Sequence, residues 1–276
     1  MPSLPPIRPE DERVAAASRP AGAFDEPGAD PLEDAYYDYL LRLGDDALIL
    51  GQRLGEWCGH APSVEVDLSL ANMALDLVGQ ATLILDKANN GDGDELAFKR
   101  DVLDFRNCWL VEQPNGDFAS TICRQLLYST WQHMLFLQLG DSPDPFLSAI
   151  AAKAVKEVAY HRELASEWTV RLGDGTEESA SRMRDGLDWC WRFVPELFEV
   201  DASLEEMIAR QTVPDPRSFE SGYRAAIAEV LGEAKLAVPP DQRPILGGRR
   251  GHHSEHLGHL LAVMQYLPRT YPDSAW

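Results

Sequence analysis

The stretch that decides the fold runs from Val66 to Leu85 and reads VDLSLANMALDLVGQATLIL. When each residue is placed 100° on from the last, apolar residues recur every three or four positions, which is typical of an α-helix. They cover so much of the wheel that the helix is predicted to be buried nearly all round. A narrow polar stripe remains, and it lines an internal site or faces the surface. Its members are Ser69, Asn72, Asp76, Gly79 and Gln80.

The same periodicity recurs along most of the chain, and no segment alternates convincingly as a strand. Proline, glycine and asparagine bound eight predicted helices. They cover residues 33–59, 64–89, 116–139, 144–172, 177–198, 203–211, 216–236 and 252–267, with longer connections at 99–115 and 237–251. The sequence therefore predicts an all-α fold, a helical bundle with additional helices.

The first residues differ in composition from the rest. Residues 1–31 are rich in Pro, Ala and Gly and hold seven of the 19 prolines. Such a segment buries little apolar surface, so we expect a flexible N-terminal arm at 1–31 and a single helical domain at 32–276.

The charge balance narrows the class of partner. The chain has 45 acidic and 25 basic side chains, a net charge of −20, so a nucleic-acid partner is disfavoured. The longest uncharged stretch, Gln125–Gly140, is shorter than the roughly 20 apolar residues of a membrane span. No apolar leader follows the N-terminus, so we expect a cytoplasmic protein without a membrane partner.

The cysteines also favour a cytoplasmic location. They form no CxxC pair and lie in apolar or aromatic stretches, which favours reduced core thiols over zinc ligands or disulfides. They are Cys58, Cys108, Cys123 and Cys190.

A second candidate stripe lies on the predicted helix 144–172. Glu157 and His161 fall on its apolar line, one turn apart. A buried ionised Glu is costly without a partner, so the two residues form either a structural pair or the remnant of a metal site. Lys153, one turn before Glu157, favours the structural pair.

Di-iron bundles require acid-x-x-His pairs on two helices and a further acid from each of two others. None of the seven histidines has an acid three residues before it. Gly79 stands three residues after Asp76, and Tyr160 three residues after Glu157, where ligand histidines would be. The apolar segment 118–140 contains His133 but no Asp or Glu.

The C-terminal segment holds a further histidine cluster. His252, His256 and His259 are spaced i, i+4 and i+7, which would place three imidazoles on one helical face. They are either ligands for zinc or copper or packed polar groups at the start of an amphipathic helix.

Several blocks of the chain, in order, resemble the C-subunit family of the ring 1,2-phenylacetyl-CoA epoxidases. The longest is DDALILGQRLGEWCGHAP at Asp45–Pro62. The others are ALDLVGQA at 74–81, KEVAYH at 156–161, RLGDGT at 171–176, HSEHLG at 253–258 and MQYL at 264–267. The similarity extends from about residue 32 to the C-terminus.

The resemblance implies a ferritin-like four-helix bundle within a multicomponent monooxygenase of phenylacetate breakdown. In that family the paralogous A subunit holds the di-iron site and binds the CoA thioester, a small B subunit joins the assembly, and a reductase supplies electrons from NADPH. The C subunit is a non-catalytic structural partner. For this chain it implies no catalytic residue, no metal and no cofactor, with Asp76, Glu157 and His161 as remnants of a site and Gly79 and Tyr160 at lost histidine positions.

The surfaces expected to meet a partner are Leu48–Ile49 with Trp57, and the last helix. If CoA touches this chain, Arg249 and Arg250 are the expected contacts. The isolated chain is a possible homo-oligomer. Two rival functions remain open: a metal-dependent oxygenase or oxidase in its own right, and a ferritin-class iron-storage protein.

Overall fold

The computed structural model of the protein describes residues 31–272 and 274. Its first helix begins at Pro31. Within this range every regular element is helical and no strand occurs, so the predicted all-α class is confirmed. The predicted N-terminal arm, residues 1–31, lies outside the described residues apart from Pro31.

The helices follow one another with short connections. In chain order they are α1 (Pro31–Gly55), α2 (Val64–Ala88), α3 (Gly93–Phe98), α4 (Trp109–Glu112), α5 (Phe118–Leu139), α6 (Pro145–Gly173), α7 (Glu177–Trp191), α8 (Ala202–Ala209), α9 (Glu220–Glu233), α10 (Glu255–Met264) and α11 (Tyr266–Thr270). Short 3₁₀ turns lie at Val102–Asp104, Val194–Phe198, Pro216–Phe219 and Gly248–Arg250.

The four longest predicted helices correspond to α1, α2, α5 and α6, and the later ones need correction. The predicted helix 177–198 ends at Trp191, and a 3₁₀ turn containing Pro195 follows, because proline has no N–H to continue an α-helix. The predicted helix 216–236 divides into a 3₁₀ turn and α9, and 252–267 begins only at Glu255. The predicted connection 99–115 contains α4, which is too short to show a helical period.

The helix starts are set by short polar side chains. Asp117, Asp144 and Asp201 each accept a hydrogen bond from the backbone N–H three residues ahead, at 2.8, 2.8 and 3.0 Å. These bonds satisfy donors that have no partner within the helix. Pro145 follows Asp144 in the first turn of α6, where its missing N–H costs nothing.

Four helices make the bundle. α1 packs on α2, α5 packs on α6, and α2 also meets α6. Two glycines let α1 approach α2 closely: a Cβ at Gly44 would lie 2.6 Å from Leu85 Cδ2, and one at Gly51 would lie 3.3 Å from the carbonyl oxygen of Ala74. The shorter helices α7, α8 and α9 cover the outside of α1, α5 and α6.

The prediction that the helix of Val66–Leu85 is buried nearly all round is wrong. The encased helix is α1, which is buried from Asp38 to Gly51. In α2 one side is open, with Leu68 60% and Leu75 69% exposed. Among the described helices, α2 alone is long and apolar enough by composition to cross a membrane, but 44% of that window is already buried inside the protein.

Three of the four thiols are internal. Cys108, Cys123 and Cys190 are buried and free, as expected, whereas Cys58 is exposed and the prediction of a core thiol there is wrong. Cys58 lies in the turn after α1, where the chain leaves the helical bundle.

Candidate functional site

A polar seam joins α2 and α6. His161 Nε2 lies 3.0 Å from Asp76 Oδ2, and Gln80 Nε2 donates to Glu157 Oε2 at 3.0 Å. As the residue number rises along α2 it falls along α6, so the two helices are antiparallel. Because α2 buries its apolar side against α1, these polar side chains are turned toward α6.

The seam continues into a third helix. Gln132 of α5 donates from Nε2 to Gln80 Oε1 at 3.2 Å, and both side chains are buried. Gln80 therefore links Gln132 on one side to Glu157 on the other. Gln132 was not predicted from the sequence, because an amide is neither of the side-chain types, carboxylate and imidazole, that a di-iron bundle requires. The signal in the sequence is that Gln132 lies on a long, largely apolar helix, where a buried amide needs a hydrogen-bond partner.

Glu157 and His161 do not form the predicted structural pair. Each takes its hydrogen-bond partner from α2, Gln80 for Glu157 and Asp76 for His161. Lys153 is exposed and makes no ion pair with Glu157 in the described part of the chain. Burial lowers the pKa of His161, while the hydrogen bond and charge of Asp76 and the charge of Glu157 oppose the shift. The imidazole is therefore held neutral.

Gly79 and Tyr160 do not face the interior of the bundle. Tyr160 is 45% exposed, and a Cβ at Gly79 would meet nothing within 4 Å. A histidine at either position would point away from the interior, so their location does not support the prediction that they replace metal ligands. The interior pairs at i, i+3 spacing lie one residue further along each helix.

These interior pairs are Leu77-x-x-Gln80 on α2 and Val158-x-x-His161 on α6. All four residues are buried. Apolar side chains thus stand where a di-iron site needs its two acids, and an amide stands where it needs one of its two histidines.

The other two bundle helices, α1 and α5, supply no replacement acid beside these interior pairs. Gly51 of α1 packs against Ala74, Leu77 and Val78, and its α1 neighbours Leu48–Leu50 are apolar and buried. α5 contains no Asp or Glu. The residues present therefore do not fit a di-iron centre. In the described range no three His, Cys, Asp or Glu side chains group together as a metal site would require.

The two acids of α1 serve another purpose. Asp45 is ion-paired with Arg100 and accepts the backbone N–H of Arg106 at 2.8 Å. Asp46 accepts from Arg249 Nη2 at 2.8 Å and from the backbone N–H of Cys108 at 2.7 Å. Both carboxylates are fully buried, and they tie the 99–115 connection and the C-terminal segment to α1.

Arg249 and Arg250 are therefore not the free basic pair expected to contact CoA. Arg249 is 7% exposed and also donates to the carbonyl oxygens of Arg42 and Arg106, at 3.3 and 3.1 Å. Arg250 is exposed but pairs with Glu199 at 2.5 Å. The guanidinium of Arg249, predicted to contact a ligand, is instead hydrogen-bonded inside the fold. The local sequence does not reveal this, because the partners are far away in the chain.

Two further buried carboxylates hold the segment 247–254. Glu196 accepts the backbone N–H groups of Gly247 and Gly248, each at 2.7 Å. Glu112 accepts from the backbone N–H of Ser254 at 2.7 Å and lies 2.7 Å from His253 Nδ1. A buried carboxylate surrounded by donors in this way fixes the path of the chain.

The three C-terminal histidines do not share one helical face. α10 begins at Glu255, so His252 precedes the helix that contains His256 and His259. His252 and His259 are exposed. The buried histidine is His253, which was not singled out in the sequence and which bonds Glu112 and the carbonyl oxygen of Phe105.

One of the two predicted partner surfaces is internal. Leu48 and Ile49 are 5% and 0% exposed, so they belong to the core and that prediction is wrong. Trp57 is partly buried and donates to Thr121 Oγ1 at 3.0 Å. The last helices do present apolar side chains, with Val263 82% and Tyr266 61% exposed.

Known proteins place the chain in one family. Residues 25–276 match the family described as phenylacetic acid catabolic protein. A relative from Escherichia coli (strain K12), the C subunit of 1,2-phenylacetyl-CoA epoxidase, is 49% identical over 246 residues, which cover 86% of this chain and 98% of the relative. Both the extent and the identity of these matches show that the chain belongs to the phenylacetic acid catabolic protein family.

Proposed function

We propose that this chain is the non-catalytic, structural subunit of a phenylacetyl-CoA epoxidase in aerobic phenylacetate catabolism. Its near full-length similarity to the C subunit of such an epoxidase supports the place in that assembly. The partners are then a paralogous ferritin-like subunit that holds the di-iron centre, a small third subunit and a reductase. The complex would work in the cytoplasm.

The non-catalytic role is supported by one observation, the polar seam of α2, α5 and α6, in which both carboxylates are bonded to neighbouring side chains. Iron oxygenases need carboxylate oxygens and imidazoles that are free to bind metal. Here the Nε2 atom of His161 is bonded to Asp76, and Glu157 is bonded to Gln80. The Nδ1 atom of His161 is buried without a hydrogen-bond partner, but among the described residues no three His, Cys, Asp or Glu side chains group together as a metal site requires. Gln132 adds an amide, a poor ligand for iron compared with a carboxylate. The seam is suited to joining helices.

In this role the chain supplies a rigid helical partner. The side-chain hydrogen bonds of the seam join α2 to α5 and to α6, and helices joined in this way can hold the ligand-bearing helices of a paralogue in place through a shared interface. The acidic surface of the chain, with net charge −20, makes the paralogue the better binding partner for the phosphates of CoA.

The test is reconstitution with the ferritin-like paralogue, the small third protein and the reductase from the same organism. A tagged full chain should capture the paralogue, and the assembly with NADPH should oxygenate phenylacetyl-CoA while the chain alone should not. In this assembly Asp76→Asn should retain activity within a few-fold, because the amide still bonds His161.

A loss of roughly a thousandfold in Asp76→Asn, with the complex still assembled, is what removal of a reacting group would give. That result would contradict a structural role. Failure to capture any ferritin-like paralogue would contradict the place in the assembly.

A further inference from the structure

A groove lies beside the N-terminus of α1, and we call it the α1 groove. Its volume is about 410 Å³, well above the roughly 150 Å³ of a cavity that binds a benzene ring. It is lined by the first turns of α1, the connection between α5 and α6, and the end of α8. Most of the described lining residues are apolar or aromatic: Leu32, Tyr36, Pro143, Pro145 and Met207.

The charged residues that line the α1 groove are both acids. Glu33 is exposed, and Asp144 accepts a hydrogen bond from the Tyr36 hydroxyl at 3.3 Å. No lysine or arginine is among the described residues that line the groove. The groove therefore suits an occupant that combines an apolar ring with a positive charge.

The same chain carries such a segment close by. Thirty residues precede Pro31, where the described part of the chain begins. Phe24 is the only aromatic residue among them. The stretch from Arg13 to Phe24 contains two arginines and no acid, although the whole chain has a net charge of −20. Its charge is thus complementary to that of the α1 groove.

The connection between Phe24 and α1 is long enough for a return to the groove. Phe24 stands seven positions before Pro31, a distance of at most about 25 Å when extended. Tyr36 lies only about 8 Å along the helix axis from Pro31. Between them, the sequence EPGA at 26–29 has proline second and glycine third, which is the pattern of a type II turn. Such a turn directs Phe24 back toward the first turns of α1.

The short connection favours this occupant over a separate molecule. Two sites joined by a short tether meet at an effective concentration in the millimolar range, which a second copy of the chain does not reach in dilute solution. Residues 1–24 also lie outside the range matched by the family, 25–276. The contact is therefore an addition to the fold that the family shares.

We propose that the segment Arg19–Phe24 binds in the α1 groove of the same chain, with the Phe24 ring against the apolar lining residues and Arg19 beside Glu33. The ring is thereby shielded from water, and the arginine pairs with an acid. This intrachain contact goes beyond the proposed function.

Chymotrypsin tests the proposal, because it cleaves after aromatic residues and Phe24 is the only one before α1. Cleavage between Phe24 and Asp25 in the full folded chain would be followed by mass spectrometry. Its rate should be at least about tenfold lower than in a synthetic peptide of residues 13–30, since cleavage tracks the fraction of chains in which the segment is released.

Two variants of the groove should remove the protection. Pro143→Lys places a charge on an exposed apolar wall, and Glu33→Lys repels Arg19, so each should raise the rate of cleavage at Phe24 at least about fivefold. The matched control is Glu65→Lys, which changes an exposed acid in the first turn of α2 and should leave the rate unchanged. Arg19→Glu added to Glu33→Lys should restore the protection, because the pair is again opposite in sign.

Cleavage of the full chain as fast as the peptide overturns the proposal. Protection that both groove variants leave intact also overturns it, as does a charge exchange that does not restore protection. Protection that rises with protein concentration over about a hundredfold range would assign the groove to the segment of a second copy and would contradict an intrachain contact. None of these outcomes affects the proposed function, which is tested by capture of the paralogue and by activity.

Discussion

At the scale of single residues, the environment of each cysteine decides the reactivity of its thiol. The sequence alone did not distinguish the exposed cysteine from the three buried ones. Burial raises the pKa of the Cys108 and Cys123 thiols well above their usual range, and that of Cys190 to about 12. Cys58 lies exposed in the turn after α1. Apolar neighbours in sequence indicated a core thiol there, but the chain leaves the bundle at that turn.

We therefore expect one reactive thiol in the folded protein. The thiolate is the nucleophile, so a disulfide reagent at pH 8 should modify Cys58 quickly and the other three cysteines only after denaturation. Cys58→Ser should abolish the fast phase and leave three thiols to titrate in denaturant. Two or more fast thiols in the folded wild type would contradict the burial of the other three.

His161 gives a prediction about pH. Its folded pKa is lowered from 6.5, chiefly by burial, so below pH 6.5 the unfolded chain binds a proton that the folded chain resists. Stability from this group is complete above pH 6.5 and declines as the pH falls toward the folded pKa. The decline is at most about 1.4 kcal/mol per pH unit for one group.

Urea unfolding at pH 7.5 and at pH 5.5 measures this contribution. His161→Gln removes the titration, so its free energy of unfolding should fall less between the two pH values than that of the wild type. An equal or steeper fall in the variant would show that His161 is not held neutral in the fold.

At the scale of the helix, two glycines with opposite surroundings predict opposite effects of the same substitution. A Cβ at Gly186 of α7 would lie 3.0 Å from the Cα of Ser120 and 3.1 Å from Cys123 Sγ, whereas one at Gly79 of α2 meets open space. Gly79→Ala should stabilise by about 0.5–1 kcal/mol through helix propensity. Gly186→Ala should destabilise by about 1–3 kcal/mol, because the backbone of α5 must move.

Denaturant midpoints of the two variants make the comparison. Shifts of the same sign and size would indicate that α7 does not pack against α5 as closely as these distances require.

Helix positions were predictable from the sequence where apolar periodicity is long. α1, α2, α5 and α6 have 22 or more residues each, enough turns for the period to appear. α4 has only four residues, so no helical period is apparent there and the burial of the acids around it could not be predicted. Their partners, such as Arg249 for Asp46, are about 200 residues away in the chain, and no local pattern reports such a distance.

The candidate site was predictable only in part. The sequence identified Asp76, Glu157 and His161, and the structure brings them to one seam. It misassigned their partners, because spacing along one helix says nothing about the helix packed beside it. The sequence analysis also placed Gly79 and Tyr160 in the interior, one residue away from the buried pairs. One residue is a rotation of 100° about the helix axis, and a helical wheel cannot resolve it unless the neighbouring helix is known.

At the scale of the whole molecule, the family follows from sequence similarity and the proposed role follows from packing. The fold keeps the four-helix framework, and the two acids of its polar seam are bonded to His161 and Gln80. Asp45 and Asp46 of α1 tie the 99–115 connection and the C-terminal segment to the bundle. The central claim is that this interior joins helices and does not bind paired metal ions.

Iron analysis tests that claim most directly. The full chain, produced in iron-replete cells and also loaded with Fe(II) without oxygen, would be desalted with a weak chelator, and its iron would be counted by mass spectrometry. We predict far less than one iron atom per chain, with no change in His161→Ala. Two iron atoms per chain that survive the chelator in the wild type and are lost in His161→Ala would contradict the account.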